Sequence, residues 1–443
     1  MKEYKLGDEK MNIAFAGTGY VGLVTGVVLA QIGHNVTCVD IDEQKLELMR
    51  QGKSPIYEAG LEELMKQNKE RLTYTTNYKD AYADAEVIFI GVGTPERADG
   101  SANLDYVYNV CDQIIESINK DTIVVIKSTV PIGTNEDIEK YFNEKLTDIR
   151  VDVVSIPEFL AQGTAVEDSL YASRIVVGAE NKGAHAIIKE LYKPLTEEPY
   201  NVPYIEMNRR SAEMVKYASN CFLALKIAYV NEIANFCEDV NANIDDVTNG
   251  MGYDPRIGDK FLNAGIGYGG SCFPKDTSAM YWLSKNSNNE LTTLKATIEV
   301  NKKQKTKMFY KLYEYFNKDI SGKKVAVLGL TFKPNTDDLR EAPSIDNVKL
   351  LIESGAIVHA YDPLAEESFK NVIQTGVVYF NSPEEAIQDV DAVMIMTEWA
   401  EIKNVKPEQY TQLLKKPLLF DGRNCYDVKE MKANGIEYFS IGR

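Results

Sequence analysis

Short apolar runs, each ending in glycine or polar residues, recur along the first part of the chain. A strand predicted over residues 12–16 leads into a glycine turn at 17–22 and a helix near 23–32. Further runs of strand length follow at residues 36–39, 86–90 and 122–126. Alternation of short strands with helices predicts a parallel, doubly wound sheet of the α/β class.

The same pattern returns near the C-terminus, in runs at residues 324–330, 357–362, 392–397 and 418–421. This second set lacks the three-glycine turn, so we expect it to bind something other than a dinucleotide. Residues 204–249 contain neither Gly nor Pro and repeat apolar positions at helical spacing, which predicts one long helix or two in succession. The predicted fold is therefore α/β, with two doubly wound Rossmann-like parallel sheets joined by a long central helix. The predicted domains are 1–203, 204–300 and 301–443.

Charge and cysteine content narrow the class of protein. The formal net charge of −17 argues against nucleic acid or an anionic membrane as a partner, because both favour clustered Lys and Arg. No run approaches the ~20 apolar residues that span a bilayer, and residues 1–10 are expected to be a short charged extension. The six cysteines are scattered, without metal-ligand spacing, which favours a reduced cytoplasmic setting and no metal site.

The glycine turn has the sequence context of a dinucleotide site. Gly17 permits the tight turn, Gly19 lets the backbone approach a pyrophosphate, and Gly22 allows close packing of the helix. Asp40 ends the next strand about 20 residues on, where a carboxylate accepts hydrogen bonds from the adenosine ribose and repels a 2′-phosphate. We therefore expect NAD⁺ as the cofactor, with a glycine turn that binds nothing as the alternative.

Residues 261–276 form the most informative segment. Four glycines precede Cys272, Lys275 and Asp276 follow it three and four residues later, and residues 277–284 have helical character. A thiol beside a lysine and near a helix N-terminus has a stabilised thiolate, which suits a covalent nucleophile. The other five cysteines are expected to be small buried side chains.

Taken together, the ordered motifs resemble the UDP-glucose/GDP-mannose dehydrogenase family over residues 12 to about 430. The matching segments are Gly17–Gly22, Gly91–Pro95, Ser128–Pro131, Pro157–Leu160, Lys216 with Asn220, Gly269–Cys272, Lys333–Asp338 with Arg340, and Phe420–Arg423.

The resemblance implies oxidation of UDP-glucose at C6 with two NAD⁺, through a thiohemiacetal and then a thioester on Cys272. Lys216 and Asn220 lie four residues apart, on one side of a helix, and would hold the C6 oxyanion. Thr129 and Asp276 would position water, and Glu158 would act as the base for thioester hydrolysis.

The resemblance also implies the binding residues. Those expected to contact the cofactor are Gly17, Gly19, Tyr20, Val21, Gly22, Asp40, Lys45, Thr94, Pro95, Ser128, Thr129, Gln162, Lys275 and Arg340. Those expected to contact the sugar nucleotide are Glu158, Phe159, Leu160, Lys216, Asn220, Arg256, Phe261, Asn263, Gly265, Tyr268, Gly269, Lys333 and Arg423. Arg256 resembles an arginine that reaches a neighbouring subunit's substrate, so a homodimer is expected.

One position departs from the family pattern. Gln162 stands where the family often has a second glutamate, and an amide can neither carry the negative charge nor take a proton. Three alternatives stay open: the same reaction on GDP-mannose or a UDP-N-acetylhexosamine, a two-electron dehydrogenase without covalent catalysis, and a non-catalytic protein that senses NAD(H).

Overall fold

The computed structural model of the protein describes residues 10–443, so the expected extension over residues 1–10 falls almost wholly outside the described residues. The chain divides into two compact units: unit 1 ends at Ser219, and unit 2 is Asn220–Arg443. The three-part division 1–203, 204–300 and 301–443 stays a prediction.

The strands of unit 1 build one sheet. They are β1 (Asn12–Ala16), β2 (Asn35–Val39), β3 (Leu72–Thr75), β4 (Val87–Ile90), β5 (Thr122–Ile126), β6 (Val151–Ser155), β7 (Ile175–Gly178) and β8 (Tyr204–Met207). Within the described part of unit 1 their order is β3-β2-β1-β4-β5-β6-β7-β8, and all neighbours are parallel except β6 and β7. The order reverses between β1 and β4, which is the topological switch point where doubly wound sheets bind nucleotides.

Helices cover both faces of this sheet. They are α1 (Tyr20–Gln31), α2 (Glu43–Arg50), α3 (Leu61–Gln67), α4 (Tyr78–Asp84), α5 (Asp105–Ser117), α6 (Thr134–Lys145), α7 (Ala165–Leu170) and α8 (Lys182–Thr196). In α1 every residue from Gly22 to Ala30 is buried, so this helix is apolar all round. It packs on the same core as β1 and β2, which fixes the glycine turn at its start.

The long central helix α9 (Arg209–Val240) has 32 residues, a length of ~48 Å at ~1.5 Å per residue. Asn243 then caps α10 (Ile244–Gly252) by accepting a hydrogen bond from the Asp245 amide. The segment without Gly or Pro therefore forms two helices in succession, after a short strand, β8.

Unit 2 has a second parallel sheet. Its strands are β9 (Lys324–Leu328), β10 (Ile357–Tyr361), β11 (Val377–Tyr379), β12 (Ala392–Ile395), β13 (Leu418–Asp421) and β14 (Glu437–Phe439). In this unit their order is β11-β10-β9-β12-β13-β14, which repeats the order of the first six strands of unit 1. The remaining helices are α11 (Phe273–Asn286), α12 (Thr292–Lys305), α13 (Lys307–Tyr315), α14 (Pro343–Glu353), α15 (Glu366–Val372), α16 (Pro383–Ile387), α17 (Ala400–Lys403), α18 (Pro407–Leu413) and α19 (Val428–Ala433).

The predicted fold class is confirmed: two doubly wound parallel sheets and a long central helix. Among residues 10–443, no helix is both long and apolar enough to cross a bilayer. In the same range, no group of three or more His, Cys, Asp or Glu side chains is arranged to hold a metal ion.

Candidate active site

The glycine turn of unit 1 is shaped by close backbone contacts. Gly17 has φ +92°, and its amide donates to the Val39 carbonyl at 2.8 Å, which ties β1 to β2. A Cβ on Gly22 would lie 1.9 Å from the Gly17 oxygen, so no larger residue fits there. A Cβ on Gly19 would meet nothing within 4 Å, so the backbone at the start of α1 faces open space. This exposed helix N-terminus suits a pyrophosphate.

Asp40 follows β2 and lies against the same turn. One of its oxygens accepts hydrogen bonds from the Thr18 amide at 2.7 Å and hydroxyl at 2.5 Å, and the other accepts from the Asp42 amide at 3.0 Å. Burial raises the pKa of Asp40, but these hydrogen bonds outweigh burial and leave the pKa below its ordinary value. Asp40 is therefore a carboxylate at neutral pH, as a ribose-binding acid must be. Lys45 lies on the surface, 3.9 Å from Asp42.

Two loops that follow β4 and β5 are joined to each other. The Thr94 hydroxyl donates to the Thr129 carbonyl at 2.8 Å, and the Ser128 hydroxyl donates to the Val92 carbonyl at 2.6 Å. The structure therefore brings together the segments 91–95 and 128–129, both at the carboxyl edge of the sheet. Parallel strands present their ligand-binding loops at this edge.

The loop that carries Gln162 is fixed near the start of α1. The Gly163 amide donates to the Tyr20 hydroxyl and to Glu58, both at 2.8 Å, and the Ala165 amide donates to Glu58 at 2.8 Å. Gln162 thus lies in a loop held next to the glycine turn. Glu58 was not predicted from the sequence, because its partners lie more than 100 residues further along the chain.

Glu158 and Lys216 form a buried ion pair in unit 1. The Lys216 Nζ donates to Glu158 Oε1 at 2.8 Å, and their side chains are 3% and 6% exposed. The Leu160 amide donates to the other carboxylate oxygen at 2.7 Å. Burial raises the pKa of Glu158, but Lys216, the Leu160 amide and Lys127 outweigh burial and hold the pKa below its ordinary value. Glu158 is therefore ionised at neutral pH and able to accept a proton.

A second buried lysine, Lys127, acts on the same pair. It directly precedes Ser128 at the end of β5 and lines a cavity of ≈ 240 Å³ together with Glu158, Phe159 and Arg174. Burial lowers the pKa of Lys127 to about 8, although the charge of Glu158 acts in the opposite direction. The signal for this residue is a lysine directly after an otherwise apolar strand, and it was not used in the prediction of the site.

Asn220 and Asp276 are bonded in unit 2. The Asn220 amide nitrogen donates to Asp276 Oδ2 at 2.6 Å, and the Lys275 Nζ donates to Oδ1 at 2.5 Å. Asp276 is 1% exposed, and each of its carboxylate oxygens accepts one of these hydrogen bonds. Lys216 and Asn220 lie one turn apart on α9, as their spacing predicts.

Cys272 is the N-cap residue of α11, and the helix starts four residues earlier than predicted because Pro274 suits its first turn. The Cys272 Sγ lies 3.7 Å from the Ser271 hydroxyl. The hydrogen bonds to Asp338 raise the pKa of Arg340, and Cys272 adds a smaller contribution in the same direction. A helix N-terminus and a cation both stabilise a thiolate. By contrast, burial raises the pKa of Cys221 to about 12, which makes that thiol a poor nucleophile.

The glycine loop before Cys272 packs on the segment that carries Lys333 and Arg340. A Cβ on Gly269 would lie 2.4 Å from the Glu341 oxygen, and the Gly270 amide donates to the Arg340 carbonyl at 2.8 Å. Arg340 itself makes a bidentate ion pair with Asp338. These close approaches explain why the segment is rich in glycine.

Three polar side chains hold the earlier part of this loop. The Gly265 amide donates to Asn231 at 2.8 Å, the Gln304 amide nitrogen donates to the Gly265 carbonyl at 2.6 Å, and Asn301 exchanges two hydrogen bonds with the Tyr268 backbone. All three are buried, and none was singled out from the sequence. They give the loop a fixed shape.

Arg423 lies beside the same loop at the carboxyl edge of the second sheet. Its guanidinium donates to the Met396 and Phe332 carbonyls, both at 2.8 Å, and the Gly422 oxygen would be 3.1 Å from a Cβ on Gly265. The structure thus places the glycine loop, Arg423 and the 332–341 segment together at the switch point of this sheet, the position for a nucleotide. Phe261 is 40% exposed at the start of the loop. Arg256 lies on the surface, with a side chain 87% exposed and paired to Asp254.

The first sheet, with its glycine turn and Asp40, defines the class: a dinucleotide-binding dehydrogenase with a second nucleotide-binding sheet. Three models of the UDP-glucose/GDP-mannose dehydrogenase family match: the NAD binding domain over residues 11–196, the central domain over 210–303 and the UDP binding domain over 326–428. The chain belongs to this family. The family resemblance and NAD as the cofactor are thereby confirmed.

Individual relatives match over nearly the whole chain. A UDP-glucose 6-dehydrogenase of Bacillus subtilis, YwqF, is 48% identical and covers 98% of each chain. The UDP-glucose 6-dehydrogenase of Rickettsia conorii is 43% identical over 98% of this chain and 99% of its own. The solved structure of a UDP-glucose dehydrogenase from Pyrobaculum islandicum superposes with a TM-score of 0.90 at 35% identity, covering 99% of this chain and 98% of that chain.

Proposed function

We propose that this protein is an NAD⁺-dependent UDP-glucose 6-dehydrogenase, which oxidises the C6 alcohol of UDP-glucose to the carboxylate of UDP-glucuronate. One observation carries the covalent part of this proposal. Cys272 caps α11 at the end of a rigid glycine loop, four residues from the buried Asp276 that Asn220 holds. The relatives at 43–48% identity support the choice of substrate.

Binding is divided between the two sheets. Gly17, Gly19 and Gly22 at the start of α1 would hold the pyrophosphate of NAD⁺, with Asp40 on the ribose; the open space at Gly19 and the ionised Asp40 fit that group. The sugar nucleotide would bind at the carboxyl edge of the second sheet, on Arg423, Lys333 and the glycine loop.

In the first oxidation the C6 hydroxyl loses a hydride and a proton and becomes an aldehyde. NAD⁺, held at the glycine turn, would supply the two hydride acceptors of the full reaction, one for each oxidation. Lys216 and Asn220 donate hydrogen bonds to the C6 oxygen, because a lysine ammonium and an amide one helical turn apart can act as an oxyanion hole.

The second oxidation passes through Cys272. The thiolate adds to the aldehyde and forms a C–S bond, the thiohemiacetal loses the second hydride, and a thioester remains. Water then breaks the C–S bond. Glu158 accepts a proton from that water, Thr129 and Asp276 position it, and Cys272 returns as a thiolate. The balance is one alcohol, two NAD⁺ and one water giving one carboxylate, two NADH and three protons.

Gln162 alters the cofactor side of this scheme. Its loop is held by Tyr20 and Glu58 beside the glycine turn. At this place the chain has a neutral amide, where the family often has a second carboxylate. Glu158 is then the carboxylate of this segment that can act as the general base.

A homodimer is the proposed functional unit. Phe222, Tyr229 and Phe236 are spaced seven residues apart on α9 and are 61%, 49% and 61% exposed, so they form one apolar stripe. A second copy of the chain would cover the stripe, and the exposed Arg256 would reach the partner's substrate. The proposed location is the cytoplasm, where the six cysteines stay reduced.

The test is the amount of NADH formed per sugar consumed, with UDP-glucose and GDP-mannose in parallel. Two NADH per UDP-glucose, with little turnover of GDP-mannose, supports both the four-electron reaction and the substrate. One NADH per sugar contradicts the thioester step, and two from GDP-mannose alone contradicts the substrate. Cys272→Ser is expected to lower turnover at least about 100-fold, because a covalent nucleophile is lost. Cys111→Ser, at a fully buried thiol whose pKa burial raises to about 12, is the matched control and is expected to keep activity.

A further inference from the structure

Glu213 is a buried carboxylate that the mechanism above does not use. It lies on α9, three residues before Lys216, and is 3% exposed. One oxygen accepts a hydrogen bond from the Gly133 amide at 2.6 Å. The other accepts from the Asn135 amide at 2.9 Å and from its side-chain nitrogen at 2.6 Å. Three donors from one segment of the chain therefore converge on this carboxylate.

These donors belong to the start of α6. Its N-cap residue is Gly133, which has no side chain to bond the first amides of the helix. Glu213 supplies that cap from another helix. Its negative charge also suits the positive end of the α6 dipole, which helps to offset its burial.

The anchored segment leads directly to Thr129. Gly133 is the fourth residue after Thr129, and the Thr129 end is fixed by the hydrogen bond from Thr94 to its carbonyl. Glu213 fixes the other end. The loop 128–133 is thereby held at both ends, and one of its two anchors is on the helix that carries Lys216.

A second contact between the same two helices is exposed and serves as a comparison. Arg210 on α9 makes a bidentate ion pair with Glu136 on α6, at 2.8 and 2.6 Å, with side chains 59% and 37% exposed. An exposed pair of this kind contributes little to holding two helices in register.

We propose that Glu213 is a positioning residue for thioester hydrolysis: it holds the Thr129 loop in place relative to Lys216, so that the water attacks the thioester correctly. This inference rests on the proposed function. Both hydride removals depend on Lys216 and Asn220 at the C6 oxygen and on the loop only through its expected cofactor contact, whereas hydrolysis also needs Thr129 to position the water. Losing the anchor should therefore slow hydrolysis more than either oxidation.

The test uses Glu213→Gln in the full-length protein, with Glu136→Gln as the matched control. A glutamine at 213 keeps the size of the side chain. Its NH₂ group, however, faces an N–H donor, so the hydrogen bonds to one of the two oxygens are lost. Rapid mixing with UDP-glucose and NAD⁺ separates the steps, because NADH is counted before and after the first turnover. Intact-protein mass spectrometry detects the acyl adduct on Cys272.

For Glu213→Gln we expect a burst of two NADH per active site, then a steady rate lowered about tenfold or more, since small misplacements of catalytic groups have such effects. The adduct on Cys272 should accumulate, and kcat and KM for UDP-glucose should fall together, so that kcat/KM changes little, because hydrolysis follows both oxidations. Glu136→Gln should behave like the wild type. Asn135→Ala, which removes one donor of the three, should show the same change to a smaller extent.

Three outcomes would overturn the inference. The first is an unchanged steady rate in Glu213→Gln, and the second is a burst slowed as much as the steady rate, with no adduct on Cys272. The third is an equal loss of the steady rate in Glu136→Gln. A merely structural role would lower thermal stability without accumulating the acyl adduct. Failure of the proposed function is seen separately, because the wild type would then give no burst of two NADH from UDP-glucose.

Discussion

Replacing Lys216 by methionine would leave the carboxylate of Glu158 in the interior of unit 1 without its nearest cation. Both side chains are almost fully buried, and their 2.8 Å ion pair joins the loop that follows β6 to α9. Breaking a buried pair on one side costs about 3–5 kcal/mol of the free energy of unfolding, because the other charge stays uncompensated. We expect the lower end, about 3 kcal/mol, since the Leu160 amide and Lys127 continue to stabilise Glu158.

The double variant Lys216→Met/Glu158→Gln separates charge from packing. It removes both charges and keeps similar volumes, and such replacements are often close to neutral, within about 1 kcal/mol. Lys140→Met is the matched surface control, because Lys140 makes an exposed pair with Glu144 at 3.8 Å. It should change the free energy of unfolding by less than about 0.5 kcal/mol.

Hydrogen exchange of the β5 and β6 amides is the suitable assay. The two tryptophans, Trp282 and Trp399, both lie in unit 2, so their fluorescence does not report directly on this pair. A loss of about 3 kcal/mol corresponds to exchange about 100-fold faster in the single variant. The reasoning is refuted if the single and double variants exchange at the same rate, or if the single variant exchanges like the wild type.

Two further predictions concern unit 1. The pKa of Lys127, about 8, lies below its value of 10.5 in an unfolded chain. Between pH 8 and 10.5 the unfolded state therefore binds more protons than the folded state. As the pH rises through this range, Lys127 increases the free energy of unfolding by up to about 3 kcal/mol. Below pH 8 this increase is absent. Denaturant unfolding of wild type and Lys127→Met at several pH values measures it, and a constant difference between the two contradicts it. Separately, Gly22→Ala places a methyl group 1.9 Å from a backbone oxygen and should destabilise unit 1 and abolish NAD⁺ binding, whereas Gly19→Ala meets open space and should leave thermal stability nearly unchanged. Calorimetry and NAD⁺ titration of the two variants distinguish these results, and equal stabilities would contradict the geometry.

Local chemistry in the sequence determined most of the fold and the outline of the site. The central strands β1, β5 and β13 were predicted to the residue, because strands buried on both faces give continuous apolar runs. The glycine turn was predicted because a positive φ at Gly17 and the contact at Gly22 both require glycine. The short outer strands β3, β11 and β14 were missed, since half-exposed strands of three or four residues leave little pattern. The buried strands β6 and β7 were missed as well, and β8 lies in a segment that was predicted to be helical.

Only the tertiary structure decided which side chains meet. Glu158 and Lys216 are 58 residues apart, and Glu213 is 78 residues from Asn135, so no periodicity connects them. The spacing of Lys216 and Asn220 showed that they share a helix face, but not that one pairs with Glu158 and the other with Asp276. Hydrophobic periods and turn residues act over a few positions, whereas these partners are set by strand order and by how helices pack on the sheets. The buried charges of the site depend on that packing, because burial and pairing together determine their protonation.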